Sequence, residues 1–304
     1  MYDVIIIGAG PAGLSASVYA KRAGLNAITF EANPISGGQV VNTYEVDNYL
    51  GFHGISGLEL GNKFREHADE LGCEIVTNVV NKITKLEGGF VLATENGEYR
   101  TRSVVMAMGA QHAHLNVPGE EELAGMGVSY CATCDGAFFK DRTVAVVGGG
   151  DVAIEDAIFL ARKCKKVYLI HRRDALRGAK MLQDELFALE NAEVIWDSVV
   201  TQILGEDQVE AVTVKNVKTE EEKNIALDGV FVAVGMNPQN DLVKGMVSLD
   251  EKGFVMSGDQ CITNMPGLFV AGDLRTKKLR QIVTAVADGA NVITSVEAYL
   301  RKVK

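Results

Sequence analysis

Val4-Ile5-Ile6-Ile7-Gly8-Ala9-Gly10-Pro11-Ala12-Gly13 decides the fold. The all-apolar run Val4 to Ile7 predicts a short strand covered on both faces, as in a parallel sheet. Gly8-x-Gly10-x-x-Gly13 follows at once, and an alanine-rich segment running to about Arg22 predicts a helix. Residues 26–30 predict the next strand, and Glu31 ends it. This is a βαβ dinucleotide fingerprint in its proper context. The first glycine makes the tight turn. The second lets a pyrophosphate approach the backbone, and the third lets the helix lie close to the strand. The helix N-terminus faces the negative charge. Glu31 is placed to accept hydrogen bonds from adenosine ribose hydroxyls. Gly8, Gly10, Pro11, Ala12, Gly13, Glu31 and Ala32 are therefore the candidates of a first nucleotide site.

The fingerprint occurs twice. At an offset of 140 residues, Val4 to Gly8 falls on Val144-Ala145-Val146-Val147-Gly148, Gly10 on Gly150 and Gly13 on Ala153. Glu31 falls on His171, at the end of a predicted strand over 166–170. Two dinucleotide folds in one chain imply two dinucleotides. The copies differ in chemistry. An acid at the strand end suits a free ribose hydroxyl, whereas His171-Arg172-Arg173 with Arg177 suits a 2'-phosphate, because guanidinium pairs bidentately with phosphate oxygens. The second copy thus reads as an NADPH site built from Gly148, Gly150, Asp151, Val152, Ala153, His171, Arg172, Arg173 and Arg177. A solvated basic face at a helix start is the plainer alternative.

Each copy is closed by a further apolar strand, over 104–108 ending at Gly109 and over 230–234 ending at Gly235. Polar segments 111–119 and 236–245 follow and predict linkers. Between the copies the pattern predicts a helix over 60–71, a strand over 74–80 and hairpin turns at 87–89 and 95–97. A buried strand over 267–273 ends in Gly272-Asp273, which suits contact with a flavin's ribityl and pyrophosphate region, and a helix over 281–302 follows. The expected fold is α/β, with two Rossmann-like dinucleotide-binding domains, the second inserted in the first. The first would comprise 1–114 and 246–304, the second 115–245.

Cys131-Ala132-Thr133-Cys134 stands just before the first strand of the inserted domain. Its sulfurs are within bonding reach, so the pair suits cycling between dithiol and disulfide; the same spacing also suits half of a zinc site. Cys73, Cys164 and Cys261 stand alone, which argues against a four-thiolate site, and no metal is expected. Five cysteines in 304 residues are too few for a secreted disulfide scaffold, and the start of the chain leaves no room for a signal peptide, so a cytoplasmic location is expected. A net charge of −10 argues against nucleic acid as a partner, and the absence of a long apolar run argues against a membrane.

Ser36-Gly37-Gly38-Gln39, the Cys131 to Asp135 block, Gly148 to Ala153, His171 to Arg177, Gly272-Asp273 and Arg280-Gln281, together with the first fingerprint, closely resemble the low-molecular-weight thioredoxin reductases. The resemblance covers essentially the whole chain in order. Met108, where a threonine is common in that family, is a minor departure. The resemblance implies FAD in the first domain, NADPH in the second, a homodimer, and thioredoxin or a thioredoxin-like protein as partner. It implies that Gly38, Gln39, Asn48, Asp273, Arg280 and Gln281 line the FAD. It also implies that Cys134 faces the flavin, that Cys131 attacks the partner disulfide, and that Asp135 handles the thiolate proton.

The remaining readings are plainer. Asp135 also fits a helix N-cap. His112 and His114 read as surface histidines, Trp196 and Phe138-Phe139 as packing, and Glu220-Glu221-Glu222 as a solvated hairpin tip. Segment 275–279 is strongly basic and a candidate surface for partner docking. A flavin thiol oxidase or a ferredoxin-fed reductase would keep the CxxC without needing the arginine cluster. A non-enzymatic flavin redox sensor would not consume NADPH steadily with a disulfide substrate.

Overall fold

The computed structural model describes residues 1–43 and 45–303. The first strand, β1 (Tyr2–Ile7), runs into helix α1 (Pro11–Arg22), whose N-cap is Gly10 and whose first turn carries the proline. Proline is suited to that position because its missing N–H has no intrahelical partner there. Strand β2 (Ala27–Glu31), helix α2 (Gly57–Glu70) and strand β3 (Glu74–Thr77) follow. Ser56 caps α2 by accepting from the Glu59 N–H (3.2 Å), which starts the helix earlier than its apolar pattern suggests.

The single strand expected over 74–80 is two. The chain turns at Asn78, whose N–H donates to the Glu31 carbonyl (2.8 Å), and β4 (Val80–Leu86) starts a separate antiparallel meander with β5 (Gly89–Thr94) and β6 (Gly97–Met106). The first crossing strand, β7 (Ala110–His112), leads into the inserted unit.

That unit contains β8 (Val128–Ser129), the one-turn helix α3 (Ala132–Asp135) and β9 (Thr143–Gly148). Helix α4 (Asp151–Ala161), β10 (Lys166–Ile170), α5 (Lys180–Phe187) and β11 (Ala192–Ile195) follow. A meander of β12 (Ser198–Leu204), β13 (Ala211–Asn216) and β14 (Glu222–Ala226) precedes β15 (Gly229–Ala233). The chain returns through β16 (Met236–Pro238) to β17 (Leu268–Val270) and the final helix α6 (Ile282–Lys302).

The repeat extends well beyond the fingerprints. One parallel sheet has the order β3-β2-β1-β6 with β17 on the far side of β6, and the other is β11-β10-β9-β15-β8. In the first, β5 and β4 continue the same seven-stranded sheet antiparallel beyond β6; in the second, the meander β12-β13-β14 is a sheet of its own that precedes β15 in the chain. The strands at the centre of each are dry. Val4, Ile5 and Ile6 in one and Val144, Ala145 and Val146 in the other are fully buried. Each contributes side chains to the cores on both faces of its own sheet, which is why neither shows an alternating pattern.

The compact units are 1–111 with 237–304, and 112–236. The segment 237–245, expected with the inserted domain, therefore belongs with the first unit. Val243 and Val247 are buried beside Val255 and Leu268 in its core, which fixes them there.

Candidate active site

In the first unit the glycine turn is built by close approach. A methyl group on Gly13 would overlap the carbonyl oxygen of Gly8. Gly8 has φ +102°, and a Cβ there would come within 2.5 Å of the Ala107 oxygen. The Glu31 carboxylate is nearly buried, accepting from the Ala9 N–H (2.6 Å) and from the Asn33 N–H (2.9 Å), so the strand-end acid is tied to the turn it faces. Ala9 in turn accepts from the Gly37 N–H (2.8 Å), and this draws Gly38 beside Gly10. Ala32 and Gln39 are exposed nearby, while Gly109 accepts from the Gln239 N–H (3.0 Å).

The end of β17 converges on the same turn. Gly272 lies against Ala12, so that a Cβ on it would sit 2.9 Å from the Ala12 methyl. Asp273 follows, with Oδ1 buried and without a hydrogen-bond partner. Burial pushes its carboxyl above the usual aspartate range, against the pull of Lys277 and Arg280. A buried acceptor without a donor is costly, and a ribityl hydroxyl is a group that would satisfy it. Asn48 Nδ2 donates to Gln281 Oε1 (2.9 Å) across 233 residues of sequence. Gln281 is the N-cap of α6 and forms a capping box with Thr284. The Arg280 guanidinium lies 3.9 Å from the centre of the Phe254 ring and donates to the Asp273, Lys277 and Arg275 carbonyls. The residues expected to hold FAD thus fit such a group: a glycine cradle at a helix N-terminus, a strand-end acid, and a buried acceptor lacking a donor.

The basic segment 275–279 is not the exposed docking surface its sequence suggests. Arg275 Nε and Nη2 donate to Asp288 Oδ2 (2.8 Å) and Oδ1 (2.7 Å), and Lys277 Nζ lies 2.7 Å from Oδ2. The Gly272 N–H donates to the same oxygen (2.9 Å). The Arg275, Lys277 and Asp288 side chains are 8%, 5% and 3% exposed. Burial pushes the Asp288 carboxyl up, but the combined hydrogen bonds and charges of Arg275 and Lys277 win and hold it below the usual range. Lys278 and Leu279 remain exposed.

In the inserted unit Cys131 and Cys134 form a disulfide at the head of α3, with Cys131 as its N-cap and a Cα–Cα distance of 5.3 Å. The sulfurs are bonded to each other, so the pair stands in its oxidised redox form. The other thiols are poor nucleophiles. Burial pushes Cys164 up to about 11 and Cys261 up to about 12, and raises Cys73 as well.

Asp135 stands at the N-cap position of the 3-10 turn Gly136–Phe139, but its side chain makes no capping bond there. It ends α3, and its Oδ2 accepts from the Ser129 hydroxyl (2.6 Å). Burial raises its carboxyl above the usual range, although the Ser129 hydrogen bond opposes this. A proton held there stands one residue from Cys134. Ser129 carries no signal in the sequence.

The second glycine turn has a tighter variant of the first. With Ala153 in place of a third glycine, a Cβ on Gly148 would come within 2.6 Å of the Ala153 methyl, so Gly148 must stay small. Gly150 is open to space, Val152 is exposed and Gly235 lies two residues beyond the end of β15. His171 is only 4% exposed. Its ring lies against Gly149, where any side chain would overlap it, and its Nε2–H donates to the Ala175 carbonyl (3.1 Å). Burial lowers its pKa, and nearby Arg177 and Arg173 add to this. It therefore brings no charge to the site near neutral pH. Arg172, Arg173 and Arg177 are exposed, and among the described residues none of their guanidiniums is ion-paired.

Some side chains differ from expectation. His112 is half-buried and stacks on Tyr130 (5.3 Å), and burial pushes its pKa down; His114 Nδ1 lies 2.9 Å from the Tyr130 hydroxyl. Phe139 packs edge-on against Phe231, whereas Phe138 is exposed. Trp196 packs against the α4 core, and Glu220 pairs with Lys215 at the exposed β13–β14 turn.

The sequence profile of the pyridine nucleotide-disulphide oxidoreductases matches residues 2–289. The chain is 43% identical to a thioredoxin reductase of Bacillus subtilis over all of this chain and 96% of that protein. It is likewise 43% identical to a thioredoxin reductase of Listeria innocua, over all of this chain and 95% of that one. The crystal structure of thioredoxin reductase from Streptococcus pyogenes superposes with a TM-score of 0.93 at 45% identity, covering 99% of both chains.

Proposed function

The chain belongs to the pyridine nucleotide-disulphide oxidoreductase family, and from that membership we infer that it is a thioredoxin-disulfide reductase using FAD and NADPH. The observation that carries this reading is the Cys131–Cys134 disulfide, held in the same unit as a nucleotide fingerprint that ends in three unpaired arginines.

When bound, NADPH and FAD supply the electron pair and one of the two protons, the other coming from solvent, that open the Cys131–Cys134 disulfide to a dithiol. The chain's own residues do the rest. In our assignment the glycine turn of α1, Glu31 and Asp273 hold FAD, with Gly38, Gln39, Asn48, Arg280 and Gln281 beside it. The second turn and Arg172, Arg173 and Arg177 hold NADPH. The Cys131 thiolate attacks one sulfur of the oxidised partner, forming a mixed disulfide and releasing the partner's other sulfur as thiolate. Cys134 then attacks Cys131, which restores the internal disulfide and leaves the partner as a dithiol. Asp135, drawn toward its neutral form by burial, gives and takes the proton that this exchange moves.

The unpaired arginine cluster favours NADPH-fed reduction over a thiol oxidase or a ferredoxin-fed enzyme, neither of which needs it. A homodimer and a cytoplasmic location are also proposed, supported by the resemblance and by the small number of cysteines. Among the described residues no helix is long and apolar enough to cross a membrane.

Anaerobic NADPH added to the FAD-loaded protein should bleach the flavin absorbance, and oxidised thioredoxin should then restore it with turnover. A flavin that NADPH leaves oxidised would rule the reading out.

A further inference from the structure

We propose that Asp151 sets the 2'-phosphate preference of the second nucleotide site by holding the arginine loop in place rather than by touching the nucleotide. The inference rests on the assignment of that site to NADPH.

The loop 171–179 leaves β10 and returns at the start of α5. It carries all three arginines and, among the described residues, none of their guanidiniums is ion-paired; its charge contact is Asp174 with Lys218 Nζ (3.1 Å), an exposed pair on the side of Asp197. What holds the arginine end to the glycine turn is its backbone. The Arg177 N–H donates to the Gly149 carbonyl (2.8 Å), and the Ala179 N–H donates to Asp151 Oδ1 (2.7 Å). At its other end the neutral His171 ring packs on Gly149 and donates to Ala175. Arg177 is thus pinned on both sides to the glycine turn and to the first residue of α4. Gly178 makes the close approach possible. Any side chain there would overlap Ile154, and its Cβ would stand 3.0 Å from Asp151 Oδ1.

The two copies of the fingerprint differ at this point. The first turn of α1 has no acid and begins with Pro11, whereas α4 begins with Asp151. A free carboxylate at a helix N-terminus that must receive a pyrophosphate opposes it by like charge. In α4 one of its oxygens is already engaged by the Ala179 N–H. The acid is present in the copy that carries the arginine loop and absent from the copy that does not, as a latch for that loop requires.

The test uses the full-length, FAD-loaded protein and two ligands that differ only in the 2'-phosphate, 2',5'-ADP and 5'-AMP, titrated by calorimetry at fixed salt. Any general effect of removing a negative charge beside the 5'-phosphate acts on both ligands and cancels in their affinity ratio. Asp151→Ala should lower the 2',5'-ADP to 5'-AMP ratio by about tenfold or more, some 1.4 kcal/mol. Asp151→Asn keeps an oxygen acceptor for the Ala179 N–H and should hold the ratio to within about threefold, roughly half that energy. Hydrogen exchange at the Ala179 amide should speed up in Asp151→Ala and stay slow in Asp151→Asn. An unchanged ratio in Asp151→Ala, or equal loss of ratio in both variants, overturns the latch. A wild-type protein that binds both ligands equally removes the NADPH assignment itself, and the latch with it.

Discussion

Replacing Asp288 with alanine should unfold the first unit at a much lower temperature. The carboxylate accepts from both Arg275 nitrogens at 2.7 and 2.8 Å, from the Gly272 N–H at 2.9 Å and contacts Lys277 Nζ at 2.7 Å. All three charged side chains are more than nine-tenths buried. Removing the acid leaves the Gly272 amide without its acceptor, Arg275 with only the exposed Asp259 (3.2 Å) and the Thr276 carbonyl (3.0 Å), and Lys277 with only Asp273 Oδ1 at 3.8 Å. Breaking a buried pair from one side costs about 3–5 kcal/mol, and the second cation puts this case toward the upper end. In a unit of this size each kcal/mol is worth roughly 2–4 °C of melting temperature, so the loss should be roughly 10–20 °C. Gly272 lies against Ala12 and directly precedes Asp273, so FAD should also bind more weakly. Scanning calorimetry with and without FAD measures both effects. Asp288→Asn, which keeps an oxygen acceptor but no charge, should fall between. The pH dependence has a definite sign. Because the folded Asp288 carboxyl sits below its ordinary range, its stabilisation is present above the unfolded value of about 4 and is lost as pH falls through the folded value. A melting temperature lowered by less than about 3 °C in Asp288→Ala would refute the reasoning, since by the same scaling that corresponds to only about 1 kcal/mol.

Other substitutions separate the remaining roles. Replacing Arg172, Arg173 and Arg177 with alanine should weaken NADPH by on the order of 1.5–3 kcal/mol for each guanidinium–phosphate pairing removed and leave NADH nearly unaffected; an equal effect on both nucleotides would show that the cluster does not read the 2'-phosphate. Cys131→Ser or Cys134→Ser should abolish disulfide reduction, with stopped-flow bleaching of the flavin by NADPH intact; a flavin that no longer bleaches would mean the two half-reactions are not separable. Gly13→Ala places a methyl group in the Gly8 carbonyl oxygen and should yield protein purified without flavin; a fully yellow variant would contradict the close packing of β1 and α1.

The sequence alone determined both nucleotide folds, the inserted order, the redox pair and the unequal chemistry of the two strand ends. These features are legible because each is local or falls at a fixed offset: strand, turn and helix start within about ten residues, and the strand-end residue about twenty further on. What only the tertiary structure decided concerns groups whose partners lie elsewhere. The run 275–279 reads as a basic surface because composition counts cations without locating the carboxylate they face. Asp288, thirteen residues beyond Arg275 on α6, turns two of those cations inward. The boundary within β16, between 236 and 237, is hidden for the same reason: a polar segment resembles a linker until Val243 is seen buried against Val255 and Leu268. Asn48 meets Gln281 across 233 residues, and Ser129 reaches Asp135 through a side chain that fits any loop. Asp151 has the address of a nucleotide ligand, and the fold engages one of its carboxylate oxygens with the Ala179 N–H. Periodicity and spacing report how a backbone is covered, whereas the partner of a buried charge is set by which elements the sheet brings together.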